Sequence, residues 1–276
     1  MDDWLPPGPA LLFCPADRPD RYAKAYDRAD GVILDLEDGV AEGDKDKARA
    51  ALVAARADLD PARTIVRINA AGTGHRQADL ETLEALDVSA VMLPKAADPA
   101  EIGTLAPLPV IALCETAAGV LAAPELARAP GCAALTWGAE DLTADIGGSS
   151  SRGPDGAYRE AMRHARSTVL LAAAAAGIAA IDAIWLAIKD LDGLAAEAED
   201  GVAGGFVAKL LIHPGHVETV RAAFRPSAER VDWARRVLAA AESGPGAIQL
   251  DGQMVDAPLI AQARRVLALA APEDRG

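Results

Sequence analysis

Two carboxylates, Glu115 and Asp141, close apolar runs that read as consecutive strands. Carboxylates that meet on a common rim repel each other unless a proton or a cation lies between them. A hard divalent ion suits an all-oxygen site. Mg²⁺ usually takes one or two protein carboxylates and completes its shell with water and substrate oxygens. The competing reading is a pair of solvated or arginine-paired acids, and these two residues alone leave both open. In Leu34-Asp35-Leu36-Glu37-Asp38, strand alternation sets Asp35 and Glu37 on one face and Leu36 and Asp38 on the other. On a barrel mouth, Asp35 and Glu37 could hold metal-bound water; otherwise Glu37-Asp38 leads into a loop as a helix cap. Arg67 interrupts the apolar run Ile65-Val66-Arg67-Ile68. A buried guanidinium needs an anion, and its planar fork suits a carboxylate or an oxyanion. That anion is a substrate, Asp35 or Glu37, or a network in which they join.

Two glycine-containing turns, Glu115-Thr116-Ala117-Ala118-Gly119 and Gly138-Ala139-Glu140-Asp141, could offer backbone N–H groups to a carboxylate. Glycine at a strand–helix turn is also commonly structural. His213, just before Pro214, reads as a satisfied structural histidine. The sequence has no phosphate loop, no nucleophile elbow and no dinucleotide fingerprint.

These residues must be carried by regular elements, and the chain supplies them in alternation. Short, nearly continuous apolar runs at 11–16, 32–38, 64–69, 90–95, 110–116, 134–141, 178–184 and 206–213 read as strands buried on both faces. Helical patterns follow at 44–57, 78–86, 118–129, 156–176 and 190–202. Eight strands alternating with helices predict an α/β protein with a parallel sheet closed as a (β/α)₈ barrel, with an open doubly wound sheet as its rival. The barrel explains why charge gathers at the strands' C-terminal ends, where they would converge on one rim. The expected organisation is a barrel over 1–224. A C-terminal helical extension over 225–276 would then be too short for a globular domain of its own.

A net charge of −14 argues against nucleic acid as a partner, because phosphate backbones need a basic face. The 4% aromatic content argues against a base-stacking platform. The three cysteines, Cys14, Cys114 and Cys132, form no CxxC pair, so buried free thiols are expected. The start MDDWLPPGPA lacks the basic residues and apolar run of a signal peptide. Asp and Lys punctuate the Ala-rich stretch before membrane-spanning length is reached, so no membrane partner and a cytoplasmic location are expected.

The ordered set Leu34-Asp35-Leu36-Glu37-Asp38-Gly39-Val40, Arg67-Ile68-Asn69, Met92-Leu93-Pro94-Lys95, Glu115-Thr116-Ala117-Ala118-Gly119, Gly138-Ala139-Glu140-Asp141-Leu142 and Ile212-His213-Pro214 resembles the citrate lyase β-subunit-like family of the HpcH/HpaI aldolase superfamily. Malyl-CoA and citramalyl-CoA lyases are close members of that superfamily. The resemblance runs in order from about Leu12 to about Leu259. It implies Mg²⁺ as cofactor with Glu115 and Asp141 as ligands. Arg67 would sit on a substrate oxygen, Asp35 and Glu37 around the metal waters, and the 138–140 turn on the substrate. Gly252-Gln253-Met254-Val255-Asp256 is similar to a segment that supplies a catalytic Asp from an adjacent subunit, which implies a homotrimer or a multiple of one. Arg18 corresponds to a basic position that meets CoA phosphates, although Ala16 stands where relatives often carry Gly.

The implied reaction is a retro-Claisen cleavage of a short β-hydroxyacyl-CoA thioester into acetyl-CoA and a keto acid, of malyl-, citramalyl- or 3-hydroxy-3-methylglutaryl-CoA type. Asp256 would protonate the departing enolate carbon. The alternatives are a citrate lyase β-subunit acting on a carrier-bound citryl thioester, a CoA-independent aldolase, and a catalytically silent metabolite-binding barrel. The 147–152 loop reads as either a lid or a linker.

Overall fold

The computed structural model describes residues 4–242, 248–250 and 253–270. The chain forms two compact units, one ending at Val220 and the other beginning at Arg221. In the first, eight parallel strands close a barrel in sequence order: β1 (Ala10–Pro15), β2 (Gly31–Asp35), β3 (Thr64–Arg67), β4 (Ala90–Leu93), β5 (Val110–Cys114), β6 (Cys132–Trp137), β7 (Ala179–Asp182) and β8 (Ala208–Leu211). Pairing of Leu11 with Leu210 is part of the β1–β8 ladder that shuts the ring. The helices are α1 (Tyr22–Arg28), α2 (Lys45–Ala55), α3 (Arg76–Leu83), α4 (Pro99–Gly103), α5 (Ala117–Leu121), α6 (Ala123–Arg128), α7 (Ala139–Asp145), α8 (Glu160–Ala176) and α9 (Leu191–Gly204), and the boundary between the units falls within α10 (Val217–Phe224). Gly177 ends α8 in the left-handed conformation (φ +73°), which a side chain would strain.

The interior follows from period-two alternation. Leu11, Ile33, Ile65 and Ile111 fill the barrel interior together with Met92, Leu113, Ile181 and Leu210, and the small Ala90, Ala134, Ala179 and Ala208 accommodate their bulk. Two residues further along β2 and β3, the same inward parity reaches Asp35 and Arg67, which are register partners. The apolar core thus passes directly into a polar layer at the strands' C-terminal ends.

Most strands are shorter than the sequence expectation, and three of the differences have a clear local reason. β2 stops at Asp35, short of residue 38, because the Asp35 carboxylate accepts the N–H groups of Glu37 (2.9 Å) and Gly39 (2.8 Å), turning the chain out of the ladder. β6 stops at Trp137 and Gly138 is the N-cap of α7, so Asp141 sits in a first helical turn and not at a strand end. The single helix expected over 118–129 is broken at Ala122, ahead of Pro124, whose ring cannot continue the hydrogen-bond ladder.

The second unit contains α11 (Ala228–Glu242), an antiparallel pair β9 (Ile248–Leu250) and β10 (Gln253–Val255), and α12 (Ala257–Leu269). It has a small core of its own around Ala234, Val237, Val255 and Ala263, and the pairing of β9 with β10 was not anticipated from the sequence. No helix among the described residues is long and apolar enough to cross a membrane.

Candidate functional site

At the C-terminal end of the barrel lies a cavity of about 370 Å³ with two contrasting walls. Asp35, Arg67, Glu115, Glu140 and Asp141 form the charged wall; Phe13, Leu113, Trp137, Ile184, Leu210 and Ile212 form the apolar one.

Arg67 is the hub. Its Nε and Nη2 donate to the two oxygens of Asp35, each at 2.7 Å, and its Nη1 lies 3.1 Å from Glu37 Oε2. The Phe13 ring packs against the guanidinium at 4.7 Å from its centroid. Burial works against the Arg67 charge, but Asp35 and Glu37 outweigh it and hold the guanidinium ionised. Asp35 is saturated: each of its oxygens accepts one arginine N–H and one backbone N–H. It therefore fixes Arg67 and has no lone pair left for a proton transfer. Glu37 stands behind the cavity wall, and burial pushes its carboxyl up against the opposing pull of Arg67 and Lys95. Asp38, assigned by alternation to the far face, instead lines the cavity, because the turn after Asp35 ends the alternation.

Glu115 is almost fully buried (3% exposed), and its Oε1 accepts the Lys95 N–H at 3.0 Å. Burial, then repulsion from Asp141 and Glu37, pushes its carboxyl up to about 8. Gly138 makes room for it: a Cβ there would fall 3.0 Å from both Cβ and Oε2 of Glu115. A pair of hard carboxylates whose charge is unmatched fits a small divalent cation such as Mg²⁺. Among the described residues no cluster of three or more His, Cys, Asp or Glu is arranged to hold a metal, so Glu115 and Asp141 would do so as a pair.

The sequence reading missed several supports. Lys95 adopts φ +50°, rare for a side-chain-bearing residue, and is held there by its N–H to Glu115 and by its ammonium 2.5 Å from Glu37. The buried Lys45 ammonium clamps the carbonyls of Leu36 and Glu37 (2.7 Å each) and Asn69 Oδ1 (2.9 Å). Asn69 is in turn held by Asp79, and Asp79 by Arg49. Nothing in the local pattern marks Lys45 or Asp79, since both sit on helices whose polar residues read as solvent-facing.

Of the predicted site residues, Asp35, Arg67, Glu115, Gly138, Ala139, Glu140 and Asp141 meet in this cavity. Arg18 does not line it; its guanidinium is tied to Asp20 at 2.9 Å. The basic residues near the mouth are Arg21 and Lys24, spaced for one helical face. With His213 they line a neighbouring groove of about 470 Å³ that shares Phe13, Pro15 and Ile212 with the main cavity. His213 Nδ1 accepts the Gly215 N–H, which is a capping role. The turn after Glu115 has little to offer a ligand, because the Ala117 N–H goes to Asp145 and that of Gly119 to Thr116. Asp256 lies in the second unit as the N-cap of α12, accepting the Leu259 N–H; Gly252, in the same motif, is outside the described residues.

A family model described as HpcH/HpaI aldolase/citrate lyase matches residues 10–214. A citrate lyase subunit beta-like protein of Mycobacterium tuberculosis is 55% identical over 260 residues, covering 94% of each chain. A (3S)-malyl-CoA thioesterase of Cereibacter sphaeroides is 38% identical, covering 95% of this chain and 94% of the relative. The crystal structure of the protein CitE from M. tuberculosis, in complex with magnesium, acetoacetate and coenzyme A, superposes with a TM-score of 0.90. It is 54% identical and covers 95% of this chain and 97% of that one. On the family match, the relatives and the closed eight-stranded barrel, this chain belongs to the HpcH/HpaI aldolase/citrate lyase family.

Proposed function

We propose that the cavity is the active site of a Mg²⁺-dependent carbon–carbon lyase that cleaves a short 3-hydroxyacyl-CoA thioester into acetyl-CoA and a small keto acid. The observation that carries this reading is the unmatched Glu115–Asp141 pair set beside an arginine fork already locked by Asp35. The similar M. tuberculosis structure holds magnesium, an oxo acid and coenzyme A together. An oxo acid is one product of carbon–carbon cleavage, whose CoA-bearing product is acetyl-CoA, whereas thioester hydrolysis would leave a hydroxy acid and free CoA.

Glu115 and Asp141 would hold the cation, which when bound supplies Lewis-acid polarisation of the substrate's oxygens. Arg67, immobilised by Asp35, binds the carboxylate of the acyl group or the oxygen that becomes the carbonyl. A carboxylate of the charged wall takes the hydroxyl proton as the bond between C2 and C3 of the acyl chain breaks. C3 becomes the carbonyl carbon of the keto acid, and the C2 fragment leaves as the thioester enolate. Asp256, supplied by a neighbouring subunit of a homotrimer, protonates C2 to give acetyl-CoA. Arg18 is paired to Asp20, so Arg21 and Lys24 in the adjoining groove are the better-placed cations for the phosphates of CoA. In this reading residues 1–224 are the catalytic barrel and 225–276 the extension that reaches the neighbour.

Acetyl-CoA release is to be measured from malyl-, citramalyl- and 3-hydroxy-3-methylglutaryl-CoA, with Mg²⁺ and with excess EDTA. Cleavage of one ester that EDTA abolishes is the expected result, and Asp256→Asn should remove it while Mg²⁺ binding persists. Release of free CoA with no acetyl-CoA would favour hydrolysis, the activity named for the Cereibacter relative. No reaction from folded, metal-loaded protein would leave the carrier-dependent β-subunit and the silent barrel.

A further inference from the structure

Three acidic side chains, Glu115, Glu140 and Asp141, line the cavity, and the cation reading uses only Glu115 and Asp141. Glu140 lines the cavity beside Asp141, but its Oε1 accepts a 2.6 Å hydrogen bond from the Ser151 hydroxyl. Successive helical residues point about 100° apart, so Glu140 and Asp141 already diverge on α7. The serine then holds Glu140 in that divergent position.

Ser151 is itself buried (5% exposed) and belongs to the 147–159 segment between α7 and α8. That segment is anchored independently of the cavity. The Gly148 N–H reaches Thr143 O at 2.7 Å, the Arg159 N–H reaches Ser151 O at 2.9 Å, and Arg159 Nε reaches Ser150 O at 3.0 Å. Arg152 packs against the rings of Tyr158 (3.6 Å) and Trp185 (4.5 Å) and pairs with Glu197 at 2.6 Å. A segment tied at so many points is a strap, and neither a lid nor a slack linker.

We propose that Ser151 is a positioning residue that holds Glu140 off the cation, leaving Glu115 and Asp141 as its two carboxylate ligands and the remaining coordination positions to substrate oxygens. A third carboxylate would tighten the cation and, by its charge and bulk, exclude an anionic oxo acid. The proposal rests on the reading of the cavity as a Mg²⁺ site.

The test titrates Mg²⁺ into the full-length wild-type, S151A, E140Q and S151A/E140Q proteins by calorimetry, and then titrates pyruvate at saturating Mg²⁺. Loss of an ordinary supporting hydrogen bond weakens metal binding, typically about 10–100-fold. S151A is expected to do the opposite, tightening Mg²⁺ about tenfold while weakening pyruvate by a similar factor. S151A/E140Q should restore both affinities. Unchanged or weaker Mg²⁺ binding in S151A overturns the proposal, as does an effect that survives in the double variant. Should S151A not fold, E140Q alone decides: Mg²⁺ affinity close to wild type supports the proposal, and a loss of about tenfold shows that Glu140 is already a ligand. Failure of the wild type to bind Mg²⁺ removes the metal reading and this inference together; failure of S151A alone removes only the inference.

Discussion

Two ionic clusters of the barrel unit differ in one respect. Outside the barrel wall, between β7–β8 and helices α8–α9, Asp182, Glu197 and Asp200 are matched by Arg152, Arg166 and Lys209: three acids against three bases. Lys209 is fully buried and reaches Asp182, Glu197 and the Ala183 carbonyl, while the Trp137 indole N–H donates to Asp182 at 2.9 Å. Burial works against the Asp182 charge, but Lys209 and Arg166 win and hold the carboxyl below its ordinary range. In the mouth, the five acids Asp35, Glu37, Asp38, Glu115 and Asp141 meet two bases, Arg67 and Lys95, and Glu115 is pushed up to about 8. A closed cluster can only hold structure. A cluster with more acids than bases leaves a place for a divalent cation, and that difference separates scaffold from site.

The largest expected effect should break the scaffold and spare the site. Lys209→Met leaves Asp182 and Glu197 without their buried partner and should cost about 3–5 kcal/mol in urea denaturation. Mg²⁺ affinity of the folded fraction should stay near wild type. A variant as stable as wild type would end the distinction between the clusters.

The pH dependence sharpens the contrast at a smaller scale. Glu115 titrates near 4.5 when free and at about 8 in the fold, so between those values the folded state keeps a proton that the unfolded chain has lost. Stability of the metal-free protein should therefore fall as pH rises through that window, by a few kcal/mol at most. Saturating Mg²⁺, or Glu115→Gln, should flatten the slope. Asp182 acts in the other direction: its contribution is present above its ordinary value of 3.8 and is lost as pH falls below it through the folded value. Urea midpoints at pH 5.5 and pH 8, with and without Mg²⁺, report Glu115, and a further midpoint below pH 3.8 reports Asp182; a flat metal-free profile between pH 5.5 and pH 8 would contradict the unmatched charge.

The smallest effect concerns fit. Gly138→Ala places a methyl 3.0 Å from Glu115 Cβ and Oε2. It should weaken Mg²⁺ about tenfold, or about 1.4 kcal/mol, with a stability change of about 1 kcal/mol. Wild-type Mg²⁺ affinity in this variant would show that the close approach of Gly138 to Glu115 does not matter to the metal.

Much of the fold was legible because it is local. All eight strands were readable as apolar runs, since a strand buried on both faces cannot hide its composition. The charged rim was readable because Arg67 within Ile65-Val66-Arg67-Ile68 has no apolar explanation. The limits of that reading show at Asp35, whose own carboxylate ends the strand, and at Asp141, which a preceding glycine places on a helix. Alternation carried past Asp35 misplaced Asp38 for the same reason.

Composition and periodicity by themselves determined eight alternating strands of a parallel α/β sheet and the residue types at their ends, because hydrophobic patterning acts over a few neighbouring residues; closure of the ring is a pairing of β1 with β8. Only the tertiary structure decided which charges are matched. Lys45 and Leu36, Lys95 and Glu37, Ser151 and Glu140, and Lys209 and Asp182 are set together by strands and loops 9 to 58 residues apart. Pairing in a low-dielectric interior depends on distance in space, and separation along the chain leaves no trace of it.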